Sequence, residues 1–253
     1  MGKNKLAKFS DLNTFGHVMQ IPYKELISDG FGLKGTWNSD FFKNDNPIVL
    51  ELGCGKGEYT VGLARLFPEK NFIGVDIKGS RMWSGAKDVH LNDLSNCSFV
   101  RTNIELLSHF FAAGEVAEIW ITFPDPQMKK TKKRLTSMRF IDQYCEILQP
   151  QGVIHLKTDS DFLYQYTLAT ISANNFEVKV NTDDLYASGM ADEILSIKTY
   201  YEQQWLDRDK TIKYLKYIPN NKNLIEPEVE IEFDDYRSFG RNLINRDSIE
   251  TKK

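Results

Sequence analysis

Cysteine is scarce and poorly placed for bonding. Cys54, Cys97 and Cys145 are the 3 cysteines of a 253-residue chain. None forms a C-x-x-C pair, so neither a disulfide framework nor a zinc site is indicated, and a reducing compartment is expected. Histidine is equally thin: His17, His90, His109 and His155 fall in no metal-ligand spacing. His155, inside an apolar run, is expected to be a satisfied core residue, and no metal is expected. No apolar run approaches the roughly 18 residues that would span a bilayer. Residues 1–10 are basic and then aromatic, unlike the apolar stretch of a secretory leader. A cytoplasmic protein without a membrane partner is the expectation, as a monomer or a homodimer. No repeat or low-complexity segment is visible.

What is present is ordinary in amount and unusual in distribution. Apolar residues make up 41% and charged residues 26%, the proportions of a globular chain. The length suits one core with extensions. The net charge of -3 would argue against a nucleic-acid partner, because phosphate binding depends on Lys and Arg. However, Lys129, Lys130, Lys132, Lys133, Arg134 and Arg139 put six bases into eleven residues without an acid, while Glu226, Glu228, Glu230, Glu232, Asp234 and Asp235 form an acidic block. The second can hide the first in the average.

From Ile48 onward, short apolar runs alternate with amphipathic stretches of helical length. The pattern predicts strands over 48–52, 72–76, 97–100, 117–123, 152–157 and 176–180. Helices are predicted over 58–67, 80–92, 104–111, 137–148 and 159–173, and 196–217 could add a helix and a closing antiparallel strand. This alternation reads as an α/β, Rossmann-like, mostly parallel sheet with helices on both faces. Residues 47–217 form the expected domain, with extensions over 1–46 and 218–253, the latter holding at most one edge strand.

The strongest local signal is Val49-Leu50-Glu51-Leu52-Gly53-Cys54-Gly55-Lys56-Gly57-Glu58, a strand running into a glycine turn and then a helix. Glycines there permit positive φ and let the backbone approach a nucleotide. A dinucleotide fingerprint needs Gly or Ala where Glu58 stands, and an acid would repel a pyrophosphate. S-adenosylmethionine has no phosphates and carries a sulfonium and an ammonium, which Glu51 can attract. Asp76 closes the next strand and suits the two ribose hydroxyls. Asn103 can meet the adenine edge and cap the following helix. Gly53, Gly55, Glu51, Asp76 and Asn103 are thus the candidate cofactor residues.

The fourth strand leads into Phe123-Pro124-Asp125-Pro126, with Asp125 fixed between prolines and the basic loop directly behind it. A carboxylate at the strand ends followed by lysines suits nucleic acid. With Leu156-Lys157-Thr158-Asp159 and Thr199-Tyr200-Tyr201-Glu202, these blocks make residues 45–217 resemble the bacterial tRNA (guanine-N7)-methyltransferase family. The resemblance implies that Asp125 is catalytic and lines the cofactor pocket with Glu51, Asp76 and Asn103. It implies that Lys129, Asp159, Thr199, Tyr200, Tyr201 and Glu202 contact tRNA, at a guanosine of the variable loop.

There are departures: Gln127 stands where the family has Trp, an Arg-His pair is missing from a loop about two residues shorter, and Asn103 replaces Asp. They bear on RNA docking more than on the reaction. Read without the resemblance, Asp159 is a helix cap, and Thr199 and Glu202 are ordinary strand or surface residues. Tyr200 and Tyr201 either stack on bases or sit in the core. Two other readings stay open, a methyltransferase of a small molecule or protein and a non-catalytic RNA-binding scaffold.

Overall fold

A computed structural model describes residues 2–220 and 223–235. In chain order, α1 (Gly2–Thr14), β1 (Val18–Met19), α2 (Tyr23–Asp29) and a π-helical turn (Trp37–Phe42) come first. The alternating part follows as β2 (Ile48–Leu52), α3 (Glu58–Leu66), β3 (Asn71–Val75), α4 (Gly79–Leu91), β4 (Cys97–Val100), α5 (Leu107–Phe110) and β5 (Val116–Thr122). The chain continues through α6 (Met138–Ile147), β6 (Leu148–Thr158), α7 (Asp161–Asn174), β7 (Glu177–Thr182), α8 (Tyr200–Leu206) and β8 (Lys213–Ile218).

One sheet holds all of these strands in the order β1-β4-β3-β2-β5-β6-β8-β7. From β1 to β6 the neighbours run parallel, and β8 inserts antiparallel between β6 and β7. Strands β2, β3 and β4 are buried along their whole length, as strands covered on both faces must be. One apolar layer gathers around Trp37, Phe110, Tyr144 and Leu163, and the other around Tyr59, Met82, Phe99 and Trp120. Strand order reverses beside β2, with β3 and β4 on one side and β5 and β6 on the other. At such a switch point the loops leaving neighbouring strands diverge and open a crevice beyond the carboxyl ends.

Several elements differ from the sequence expectation. The N-terminal residues do more than extend the domain, since β1 joins the sheet edge and Leu12, Leu26 and Trp37 are in the core. Trp37 Nε1 donates to the Phe110 carbonyl at 3.0 Å. Strand β6 begins at Leu148, because Leu148 pairs with Val116 before a bulge restores the register at Val153. The segment over 104–111 splits into a 3-10 turn (Ile104–Leu106) and the short α5.

Residues 223–235 form no strand; the rest of the predicted C-terminal extension lies outside the described residues. Pro227 has no N–H to give a ladder, and the acids nearby serve helix ends instead. Glu226 accepts from the Met138 N–H at the start of α6 (3.1 Å) and from Tyr166 Oη. Asp234 accepts from the Phe162 N–H at the start of α7 (2.9 Å) and from Ser160 Oγ. Carboxylates at these positions satisfy orphan donors and complement the helix dipole. Phe233 meets Phe162 edge-on at 5.5 Å, completing the anchorage of this acidic strap.

Candidate active site

The glycine turn is folded by its own donors. Gly53 N–H and Cys54 N–H both donate to the Val75 carbonyl, which pulls the turn onto the end of β3. Gly57 has φ +75°, and a Cβ there would lie 2.7 Å from the Phe99 ring, so neither the conformation nor the space admits a larger residue. Glu51 is sealed in the floor at 3% exposure. It accepts from Thr60 N–H (2.9 Å), Thr60 Oγ1 and Thr122 Oγ1 (2.6 Å), donors supplied by α3 and β5. Burial raises its carboxyl to about 7 despite those three bonds.

Asp76, just past β3, accepts from Gly55 N–H at 3.0 Å and from Lys78 N–H at 2.7 Å. Both oxygens are thereby aimed before any ligand binds. Asn103 occupies the N-cap position of the turn after β4, but its side chain makes no capping bond and lines the crevice instead.

The loop after β5 is held in an uncommon conformation. Phe123 and Gln127, which bracket Asp125, have φ +47° and φ +48°. A positive φ is uncommon for any residue but glycine, and Phe123 also precedes Pro124, so the loop holds a strained backbone kept only because the surroundings over-determine it. Phe123 N–H donates to the Lys157 carbonyl at 2.8 Å. Gln127 N–H donates to Asp125 Oδ1 at 3.0 Å, which orients the exposed carboxylate. Arg134 does not face solvent, contrary to its expected place in the basic patch. It is 7% exposed, lies over the Phe162 and Tyr166 rings, and donates to the Met128 (2.6 Å) and Gln127 (3.3 Å) carbonyls. The remaining five bases are exposed, and Lys133 reaches the crevice wall.

Thr199 and Glu202 are not strand or surface residues. They begin α8, where Thr199 Oγ1 accepts from Glu202 N–H at 3.1 Å, half of a capping box. Both are buried, Glu202 completely. Its carboxylate pairs with Lys157 Nζ at 2.8 Å and accepts from Tyr186 Oη at 2.6 Å. Glu58 accepts from Tyr200 N–H at 2.9 Å, so the acid that spoils a dinucleotide fingerprint tethers α8 to the glycine turn. Lys56 Nζ lies 3.7 Å from the centre of the exposed Tyr200 ring.

The result is a crevice of about 530 Å³. It brings together Glu51, Asp76, Asn103, Asp125 and Thr199, with Gly53 and Gly55 in its wall. Lys129, Asp159, Tyr200 and Glu202 do not line it, and the Tyr201 side chain lies outside what is described. Asp159 is buried, which raises its carboxyl to about 7. It is not the helix cap expected of it, because Ser160 Oγ accepts from Leu163 N–H and caps α7. Sequence reading missed Lys157 and Trp205, although T-x-x-E is a legible helix start. His155 is the buried residue expected: it stacks on Trp120 at 3.8 Å and its Nδ1 is 2.8 Å from Tyr214 Oη. Among the described residues no cluster of metal-ligating side chains occurs, and no helix is long and apolar enough to cross a membrane.

Residues 45–215 match the family described as "Putative methyltransferase". A tRNA (guanine-N(7)-)-methyltransferase of Bacteroides thetaiotaomicron is 57% identical over 254 residues, covering 100% of both chains. The chain belongs to the tRNA (guanine-N7)-methyltransferase family. Its relative of the same name from Porphyromonas gingivalis is 58% identical, covering 91% of this chain and 97% of its own. The fold is also that of the 16S rRNA methyltransferase KamB, with a TM-score of 0.56 at 15% identity over 72% of this chain and 92% of that one.

Proposed function

We propose that this chain transfers the methyl group of S-adenosylmethionine to N7 of a guanosine in the variable loop of tRNA. The observation that carries the reading is the crevice gathering Glu51, Asp76, Asn103 and Asp125 at the sheet's switch point, with Lys133 at its wall and the lysine loop beside it. Its volume suits a nucleoside carrying an amino-acid tail. Glu51 is surrounded by hydroxyl and amide donors and by the negative Asp76, so a cation brought by a ligand is stabilising there. The Asp76 oxygens, already aimed by Gly55 and Lys78, fit a ribose diol, and Asn103 fits the adenine edge. When bound, S-adenosylmethionine supplies a methyl group on a positively charged sulfur.

N7 of guanine has a free lone pair and loses no proton on methylation, so the protein's work is alignment and electrostatics. Asp125, held by Gln127 N–H, orients the base by accepting from its donor edge. Its charge also stabilises the positive charge that develops on the purine. Lys129, Lys130, Lys132 and Lys133 meet the RNA backbone, a salt-dependent contact.

The test is transfer of labelled methyl to unmodified tRNA transcripts, with the variable-loop guanosine present or replaced by adenosine. Incorporation that needs the guanosine is expected, and Asp125→Asn should lower kcat by about 100-fold or more. Cofactor binding with no transfer to any tRNA would favour a small-molecule or protein acceptor.

A further inference from the structure

The Leu156-Lys157-Thr158-Asp159 run places on β6 a lysine with no exposed surface. The Lys157 ammonium has three protons and three acceptors: Glu202 at 2.9 Å, the Leu195 carbonyl at 2.6 Å and the Ile197 carbonyl at 3.4 Å. The two carbonyls lie on the segment that leads into α8, and Glu202 lies in its first turn. On its other side, Lys157 reaches the Asp125 loop, accepting from Phe123 N–H through its carbonyl and lying 5.9 Å from the centre of the Phe123 ring through its ammonium. Phe123 lines the crevice two residues before Asp125, and Thr199 and Trp205 line the same crevice from α8 and its cap. One buried residue therefore joins the two crevice-lining segments.

We infer that Lys157 and Glu202 form a positioning pair that sets the separation of the Asp125 loop from α8, and that Glu202 acts through this pair and not by touching RNA. The inference rests on the proposed reaction. Glu202 has 0% exposure, its two oxygens are engaged by Lys157 and Tyr186, and its N–H is engaged by Thr199. An RNA chain could reach it only by unwinding the start of α8. Burial works against the Lys157 charge, and the adjacent Glu202 supports it. Apolar residues of similar volume are often at least as stable as a buried ion pair, so what such a pair supplies here is directional geometry: three fixed acceptors for one ammonium.

The experiment is calorimetric binding of S-adenosylmethionine to the full chain with no RNA present, paired with thermal melting. Glu202→Gln and Lys157→Met should each weaken binding by about tenfold or more, and the double variant should be no worse than the worse single one, because both changes break one unit. Tyr186→Phe removes a single donor to Glu202 from a half-exposed site. It should weaken binding about threefold while melting near the wild-type temperature, which decides the matter should Lys157→Met fail to fold. Glu202→Gln with wild-type cofactor affinity and a raised KM for tRNA would overturn the inference and return Glu202 to the RNA interface. A wild-type chain that binds no S-adenosylmethionine would overturn the proposed reaction as well.

Discussion

The proposed role of Glu51 predicts that S-adenosylmethionine affinity depends on pH near neutrality. The Glu51 carboxyl is raised to about 7 by burial, so the free protein holds a large neutral fraction at pH 7. A cationic ligand group selects the ionised form, so binding must take a proton off Glu51. Affinity is therefore full above the raised value and falls as pH drops through it. With a value near 7, the apparent Kd should rise roughly eightfold between pH 7.5 and pH 6.0.

The stability sign is opposite. An acid whose folded value exceeds its unfolded value of 4.5 is destabilising once the unfolded chain ionises. The protein without ligand should lose up to about 3 kcal/mol from this group between pH 4.5 and 7. Glu51→Gln can keep bonds to Thr60 and Thr122, because a hydroxyl rotates to accept as readily as it donates. It should raise the melting temperature at pH 7.5 while weakening S-adenosylmethionine about tenfold to a hundredfold. Calorimetric titration from pH 6.0 to 7.5 with melting curves tests both halves. A flat Kd across that range, or a Gln variant that binds as tightly as the wild type, would refute the reasoning.

Asp76→Asn should raise the cofactor Kd by about tenfold or more, because one oxygen that accepts from Gly55 or Lys78 becomes a donor; equilibrium dialysis reads this directly. Arg134→Met should lower kcat for tRNA with little change in cofactor Kd, since Arg134 holds the Gln127 and Met128 carbonyls and lines no part of the cofactor crevice. Single-turnover methylation separates those two constants. Glu226→Gln and Asp234→Asn should each cost about 1 kcal/mol, seen as a fall of roughly 2–4 °C in Tm, because each removes an anion from a helix start.

Legibility in the sequence followed the range of the forces involved. Strands β2 and β4 are found at the residues expected, and β3 and β5 within one residue, because a buried parallel strand is an apolar run with turn residues at both ends. Glu51, Asp76, Asn103 and Asp125 were legible as residues of one crevice because each lies at the carboxyl end of a strand, or up to three residues past it, and the period fixes where those strands end. Lys157 was not: its three acceptors are 38 to 45 positions away, two on a loop and one in the first turn of α8, and no periodicity encodes the path that brings them back. Arg134 misled for the same reason, since a base in a run of bases looks solvated until two aromatic rings of α7 are placed beneath it. The alternating acids over 226–235 imitated a strand, although the groups awaiting them were helix N–H donors rather than a sheet edge.

The acidic strap also changes what an isoelectric point means for this chain. The value of about 5.9 counts every carboxylate once, wherever it sits. Glu226 and Asp234 are already committed to the ends of α6 and α7, where they offset partial positive charges that no titration records. The ledger that a polyanion meets on approaching the loop is thus different from the ledger the whole chain presents to an electric field. Ranking proteins by isoelectric point to find RNA-handling enzymes would discard this one, whereas ranking by the most basic stretch of a dozen residues would retain it.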